Sequence, residues 1–296
     1  MLDTAVKCLM CPHCGGPLQK SERQLKCPVG HSFDIARQGY VTLLKEPLHG
    51  IAGDTSEMLA ARHEFLSGGY YQPIQDHVAH VVTARHCQGS SSPLTGSPTV
   101  VDVGAGAGDY LSAVLAACPG AQGIGLDVSK FAARRLARHH VRSCGIVADT
   151  WRQIPLRDGT ASVVLSIFAP RNVSEIARVL QESGTWIVVT PTPQHLRELT
   201  AVPGVVSVHE DKAGKLVSVV APRFALEVRR RIEFQCPLTT AAAELLLAMG
   251  PTAHHLNVDE RHRVIMAAAE TANGDQDADA VFSVTVSVDV SVFTQT

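Results

Sequence analysis

Ten residues constrain this chain more than any others: Val100-Val101-Asp102-Val103-Gly104-Ala105-Gly106-Ala107-Gly108-Asp109. An apolar run that ends in a triple-glycine turn reads as a buried strand followed by a tight loop. Glycine takes positive φ without steric cost and lets the backbone come close to a ligand. Further strand candidates follow at 123–126, 145–148, 161–167 and 185–189, with helix-like stretches at 110–117 and 130–140 between them. This alternation predicts an α/β fold built on a doubly wound parallel sheet, with the glycine loop at its carboxyl edge. Near the end, Val284, Val286, Val288, Val290 and Val292 alternate with Thr, Ser and Asp. Period two predicts a half-buried strand there, an antiparallel edge partner for the sheet.

The glycines depart from the dinucleotide fingerprint G-x-G-x-x-G because the third comes one residue early, and Asp102 stands immediately ahead of the loop. This D-x-G-x-G-x-G form resembles the first motif of the class I S-adenosylmethionine (SAM) methyltransferases. The resemblance implies a SAM site at Asp102, Gly104, Gly106, Ala107, Gly108 and Asp109. Asp127 ends the second strand, where an acid can accept hydrogen bonds from the ribose hydroxyls. Asp149 ends the third, near the expected adenine edge. An NAD-dependent dehydrogenase is the competing reading of the loop.

The first 45 residues have a different character. Four of the eight cysteines fall within residues 1–27, and Cys11-Pro-His-Cys14 and Cys27-Pro-Val-Gly-His31 are two short turns twelve residues apart. Zinc takes four tetrahedral N/S ligands and is often held by two such knuckles. Cys11, Cys14, Cys27 and His31 make a closed Cys₃His site, hence a structural metal. Cys8 is also ligand-spaced from Cys11, and His13 is a further candidate. Reduced cysteines in a small core are the bland alternative, but so short a segment scarcely builds a core without a staple. In a chain read as cytosolic, clustered cysteines favour metal over disulfides.

Three regions follow: a zinc module at 1–45, a helical connector and linker at 46–98, and a SAM-binding domain at 99–296. In the connector a helix is expected to start near Asp54 or Thr55, to break at Gly68-Gly69, and to be followed by a second helix. QGSSSPLTGSP (88–98) reads as linker and GDQDADA (274–280) as an acidic loop. No apolar run is long enough for a membrane span and the N-terminus lacks a secretory pattern, so the expected location is cytoplasmic, with no membrane partner. The formal charge of −2 does not advertise nucleic acid binding. However, residues 1–45 carry six basic side chains against three acids, and Lys130, Arg134, Arg135, Arg138 and Arg142 form an acid-free basic run. Such runs are either solvated helix faces or phosphate contacts.

The segments CPHCGGPL, LKCPVGHSFDIARQGYVTLL, EMLAARHEFLSGGYYQPI, VVDVGAGAGDY, GLDVSKFAARRLAR and VTPTPQHLREL together resemble the bacterial 23S rRNA guanine-N1 methyltransferases. The likeness runs from about Cys11 to about Leu199. FAPRN (168–172) looks closer to the tylosin-resistance branch than to the Gram-negative housekeeping branch. The resemblance implies zinc on Cys11, Cys14, Cys27 and His31, which demotes Cys8, and SAM contacts at Gly106 to Asp109, Tyr71 and His195. It implies 23S rRNA as substrate, at a guanine of the 748 type near the macrolide site. The strand ending at 166–172 occupies the place where class I enzymes read the target atom. Phe168 is accordingly expected to stack on the base, with Arg171 or Asn172 at its O6. The bland alternative for Arg171 is a cap on the next helix. The zinc module is the candidate RNA grip, through Lys20, Arg23 and Lys26, and could also pair with a second protomer as a homodimer. Two other readings are methylation of a small natural product and a non-catalytic ribosome-binding factor.

Overall fold

The computed structural model describes residues 2–48, 53–87, 97–205, 212–273 and 282–296. The linker expected at 88–98, apart from Ser97 and Pro98, and the acidic 274–280 lie outside these residues. A short helix α1 (Leu2–Ala5) leads into a three-stranded antiparallel sheet, β1 (Gln19–Ser21), β2 (Gln24–Lys26) and β3 (Ser32–Asp34). β4 (Val41–Thr42) then leaves this module and pairs in parallel with Ile146 and Val147 of the main sheet. The connector holds α2 (Ser56–Ser67) and α3 (Gln72–His86). Thr55 caps α2, its Oγ1 accepting from the Met58 N–H at 3.2 Å, and the chain turns at Gly68 and Gly69 as expected.

The main domain runs β5 (Thr99–Val103), α4 (Asp109–Ala117), β6 (Gln122–Asp127), α5 (Lys130–His139), β7 (Ser143–Val147), β8 (Ala161–Ile167), α6 (Val173–Val179) and β9 (Leu180–Pro191). It closes with α7 (Arg197–Thr200), α8 (Lys212–Val220), β10 (Phe224–Leu238), α9 (Thr240–Ala248), α10 (Val258–Asn273) and β11 (Phe282–Gln295). The sheet order is β10-β11-β9-β8-β5-β6-β7-β4, parallel from β9 to β4, with β11 antiparallel to both its neighbours. The order reverses between β5 and β8, and the carboxyl ends of those strands form the crevice where such sheets bind ligands.

The valine-alternating strand differs from expectation in its burial. β11 is not half-exposed, because β10, which carries little apolar signal of its own, covers it from the edge side. Its polar positions Thr285, Ser287, Asp289 and Ser291 are buried against partners rather than facing water. Asp289 receives Arg231 at 3.0 Å, and Ser287 Oγ donates to Glu233 at 2.7 Å. The zinc module is also less separate than its composition suggests. Leu9, Leu18, Leu25, Val41 and Leu43 are buried in one cluster with Val101, Ile124, Ile146 and Trp186 of the main sheet. Two of the cysteines outside the module, Cys87 and Cys118, are joined by a disulfide that ties the ends of α3 and α4, Cα to Cα 5.9 Å. The metal-over-disulfide expectation therefore holds for the N-terminal cluster and not for this pair. Their thiols meet only because the two helices pack side by side. Arg142, counted in the basic run, is a clip: its guanidinium donates to the carbonyls of Leu115, Cys118 and Ala121. No helix is long and apolar enough to cross a membrane among the described residues.

Candidate functional site

Cys11, Cys14, Cys27 and His31 converge although they come from two turns on either side of the β1–β2 hairpin. Cys11 Sγ lies 3.6 Å from His31 Nδ1, Cys14 Sγ 3.6 Å from Cys27 Sγ, and Cys27 Sγ 3.3 Å from His31 Nδ1. Ligand atoms about 2.0–2.3 Å from a tetrahedral zinc stand roughly 3.5–3.8 Å apart, so the donor set and its spacing fit the ion. The turn after Cys14 needs the positive φ of Gly15, +71°. His13 is not in the cluster; its ring packs on His31 and Phe33. Cys8 also lies outside it, and burial raises its thiol pKa. Four protein ligands fill the shell, so zinc here is structural.

The glycine loop follows β5 and starts α4. Gly104, Gly106 and Gly108 have φ of +72°, +54° and +93°. A Cβ at Gly104 would lie 2.8 Å from that of Ala169, so the loop after β8 rests directly on the glycine turn. Asp127 accepts the Gly106 N–H at 2.9 Å and the Ser129 N–H at 2.8 Å, which leaves lone pairs on both oxygens for further donors. Buried polar atoms without partners gather around the turn and the end of β9: Asp109 Oδ2, Tyr110 Oη and Thr190 Oγ1. A glycine cradle beside orphaned polar atoms fits the amino-acid end of SAM. Ala107 packs between Leu59 and Ala132, leaving only its backbone for a ligand. Asp109 is held through Oδ1 by His63 Nδ1 at 2.7 Å. Asp149 lies in the loop after β7, accepting the Trp151 N–H at 3.1 Å.

Asp102 is buried, and burial together with the charges of Asp127 and Asp109 pushes its pKa up to about 7. Such a carboxyl keeps its proton in the folded protein well above the unfolded value of about 3.9. No penalty exists below about pH 4; stability falls as pH rises from there through about 7, by up to roughly 4 kcal/mol. Asp102→Asn, the neutral isostere, is expected to raise the melting temperature at pH 8 and leave it unchanged at pH 4. Calorimetry at the two pH values measures this, and a lower value at pH 8 would mean that the ionised form is held by a partner.

Tyr71, Phe168 and His195 come together from α3's approach, the end of β8 and the turn after β9. Phe168 and His195 rings stack at 5.9 Å, Tyr71 and His195 centroids are 6.0 Å apart, and Tyr71 and Phe168 centroids 6.4 Å. Phe168 has φ +53°, which is strained for a bulky residue, and its side chain is 43% exposed. Strain of this kind, about 1–3 kcal/mol, persists where the surroundings over-determine it and clusters at working sites. Ser287 N–H donates to His195 Nδ1 at 3.2 Å, so in the neutral ring Nε2 carries the hydrogen, and it points at Tyr71 Oη 3.4 Å away. Burial lowers the His195 pKa to about 4. His195 is thus a neutral donor and not a proton acceptor.

Beyond Pro170 the two remaining candidates part company. Asn172 is the cap of α6: its Oδ1 accepts the Glu175 N–H and its Nδ2 donates to the Trp151 carbonyl at 2.7 Å. Its amide is therefore spent on structure, and the capping role the sequence offered for Arg171 belongs to Asn172. Arg171 Nη1 is buried without a partner, and burial lowers the guanidinium's pKa. Sequence reasoning missed Arg62, which lies over Gly106 and pairs with Asp54 at 2.5 Å. It also missed Trp151, 59% exposed next to Arg171. Neither carries a local signal, since each matters through contacts made by the fold.

Comparison with known proteins matches two separate stretches of the chain. Residues 9–47 match the family model described as RlmA, N-terminal, and residues 100–185 one described as a methyltransferase domain. The 23S rRNA (guanine(748)-N(1))-methyltransferase of Streptomyces fradiae is 43% identical over 265 residues, 90% of this chain and 92% of that one. A Micromonospora griseorubida protein whose name places it among 23S rRNA (guanine-N(1)-)-methyltransferases is 43% identical over 83% of this chain and 87% of its own. One from Bacillus subtilis, similarly named, is 33% identical over 64% and 66%.

Proposed function

Because this chain belongs to the 23S rRNA (guanine-N1) methyltransferases, we propose that it modifies a guanine of the 748 type, in a hairpin loop near the macrolide site, and so confers macrolide resistance. It is a SAM-dependent enzyme with a structural zinc. The observation that supports the reading best is the strained Phe168 with Tyr71 and His195, set against the glycine turn that cradles the methyl donor.

When bound, SAM supplies a methyl group already activated on its sulfonium, so the protein's main task is alignment, worth up to about 7–11 kcal/mol. Asp127 and the turn from Gly104 to Asp109 would hold the donor, with Tyr71 and His195 among the residues that would line its site. Phe168 offers a face for a guanine drawn out of its stack, since N1 lies on the pairing edge and is reachable only then. As the N1 proton passes to solvent water, electron density shifts to O6, and a positive donor there lowers the barrier. Arg171, with no carboxylate partner among the described residues, is the donor we assign to O6. His195 does not take the N1 proton, for Nε2 already carries one. An rRNA substrate supports a cytoplasmic location, and the zinc module is the candidate surface for pairing two protomers as a homodimer.

A primer-extension map of 23S rRNA tests the assignment: a single new stop at the 748-type guanine, dependent on enzyme and SAM, is expected, and a stop elsewhere refutes the 748-type site. The β1–β2 hairpin carries the proposed grip. Arg23 and Lys26 are exposed, whereas Lys20 pairs with Asp3 at 2.6 Å and is partly neutralised. Replacing Lys20, Arg23 and Lys26 together by Ala should reduce the salt dependence of RNA binding by about two ions. Titration at low and high salt reads this out, and an unchanged slope would leave the module with a structural role only.

A further inference from the structure

A groove of about 410 Å³ runs outward from the end of β8, between the loop after β7 and α8. Trp151, Arg171, Asn172, Val219 and Arg223 line it, and no carboxylate does among the described residues. No contact among the described residues accounts for its features. Trp151 is 59% exposed and Val219 65%, so the wall presents apolar surface to solvent. Arg171 Nη1 is buried without a partner, and Arg223 is exposed and has no ion pair among the described residues. The rest of the Trp151 loop is tightly held: Asp149 and Asn172 grip its backbone, and Arg152 is turned away to Glu46 at 2.5 Å. A backbone held at both its N–H and its carbonyl, carrying an indole that is 59% exposed, offers a stacking platform.

We propose that this groove binds the nucleotide adjacent to the target guanine in single-stranded RNA, its base stacked on Trp151 and its phosphate on Arg223. This rests on the guanine-N1 reading above. Aromatic platforms flanked by arginines suit single strands because every base has a π-face and every linkage a charge. Arg171 forms the wall shared by the groove and the target position, so occupation of the groove brings the chain past Phe168. Two arginines and no carboxylate among the described lining residues favour a polyanion over a cation.

Trp151→Ala, Trp151→Phe and Arg223→Ala test the proposal, with an rRNA hairpin as the probe. Stacking of one base predicts that Trp151→Ala raises the RNA KM by about tenfold to a hundredfold, and that Trp151→Phe recovers it to within about threefold. Arg223→Ala should lower the salt slope of RNA binding by about one ion. The chain has two tryptophans, and Trp186 is fully buried, so hairpin-dependent quenching of the exposed emission reports on Trp151 directly. SAM affinity, measured by calorimetry, should stay within about twofold for Trp151→Ala, since stacking on RNA alone is lost. An increase in SAM Kd with RNA KM unmoved would place Trp151 at the cofactor's adenine and overturn the proposal. So would unchanged KM with no quenching. Wild-type enzyme that fails to methylate 23S rRNA would instead overturn the underlying function, and the groove's role with it.

Discussion

Serine in place of Cys27 is expected to strip zinc from the protein and to lower its melting temperature by at least about 10 °C. Cys27 lies within the ligand cluster, 3.6 Å from Cys14 Sγ and 3.3 Å from His31 Nδ1, and hydrogen bonds from the His31 backbone and from the Cys14 and His31 side chains hold its pKa down at about 6 against burial. Structural zinc in such sites contributes about 10–16 kcal/mol of apparent binding energy, which is folding energy for the segment it closes. The damage is not confined to the module. Leu9, Leu18, Leu25, Val41 and Leu43 lie in the same buried cluster as the main sheet, and each fully buried side chain is worth about 1.5–3 kcal/mol. Released knuckles would withdraw several of these side chains at once and expose the β7 edge that β4 covers. Cys8→Ser is the control, because Cys8 lies outside the cluster and should retain about one zinc per chain. Metal analysis alongside calorimetry decides the matter. Zinc lost from Cys8→Ser and kept by Cys27→Ser would show that the ligand set is wrong.

The second large effect is expected at Asp127. Asp127→Ala should weaken SAM binding at least about a hundredfold, from the loss of charge-assisted hydrogen bonds worth roughly 1.5–3 kcal/mol each. Its carboxylate does two things in this fold. It fixes the glycine turn through Gly106 and starts α5 through the Ser129 N–H, and its remaining lone pairs face the place proposed for the ribose. The alanine variant loses both the acceptor and the turn's anchor. Asp127→Asn keeps one acceptor oxygen and should fall between. Titration calorimetry gives the Kd, and the upward thermal shift that saturating SAM confers by mass action should vanish for Asp127→Ala. Full retention of that shift would remove Asp127 from the cofactor site. Since burial raises the Asp127 pKa, the variant without ligand should not suffer a comparable loss of stability at neutral pH.

Legibility followed the range of each signal. The glycine turn, Asp127 and the four zinc ligands are local patterns, each written within a few residues, and the structure gathers those residues where their spacing implied. Tyr71 and His195 carried no bottom-up signal and were reached only through family likeness. They are 124 residues apart in sequence, and what unites them is the hydrogen bond and ring contact made where the start of α3 meets the turn after β9. Asn172 and Arg171 were indistinguishable in sequence as candidates for O6, and backbone geometry separated them, one becoming a cap.

From sequence alone this protein was determined to be a zinc-stapled, doubly wound SAM-binding chain, because metal coordination and a positive-φ glycine turn demand particular residue types at short spacings. Tertiary structure alone decided that the zinc module shares the main core, that β10 shields β11, that Cys87 meets Cys118, and that Trp151 faces an open groove. Each of these depends on contacts between distant segments. Burial and exposure are properties of what packs on a residue, and its neighbours in sequence do not encode them.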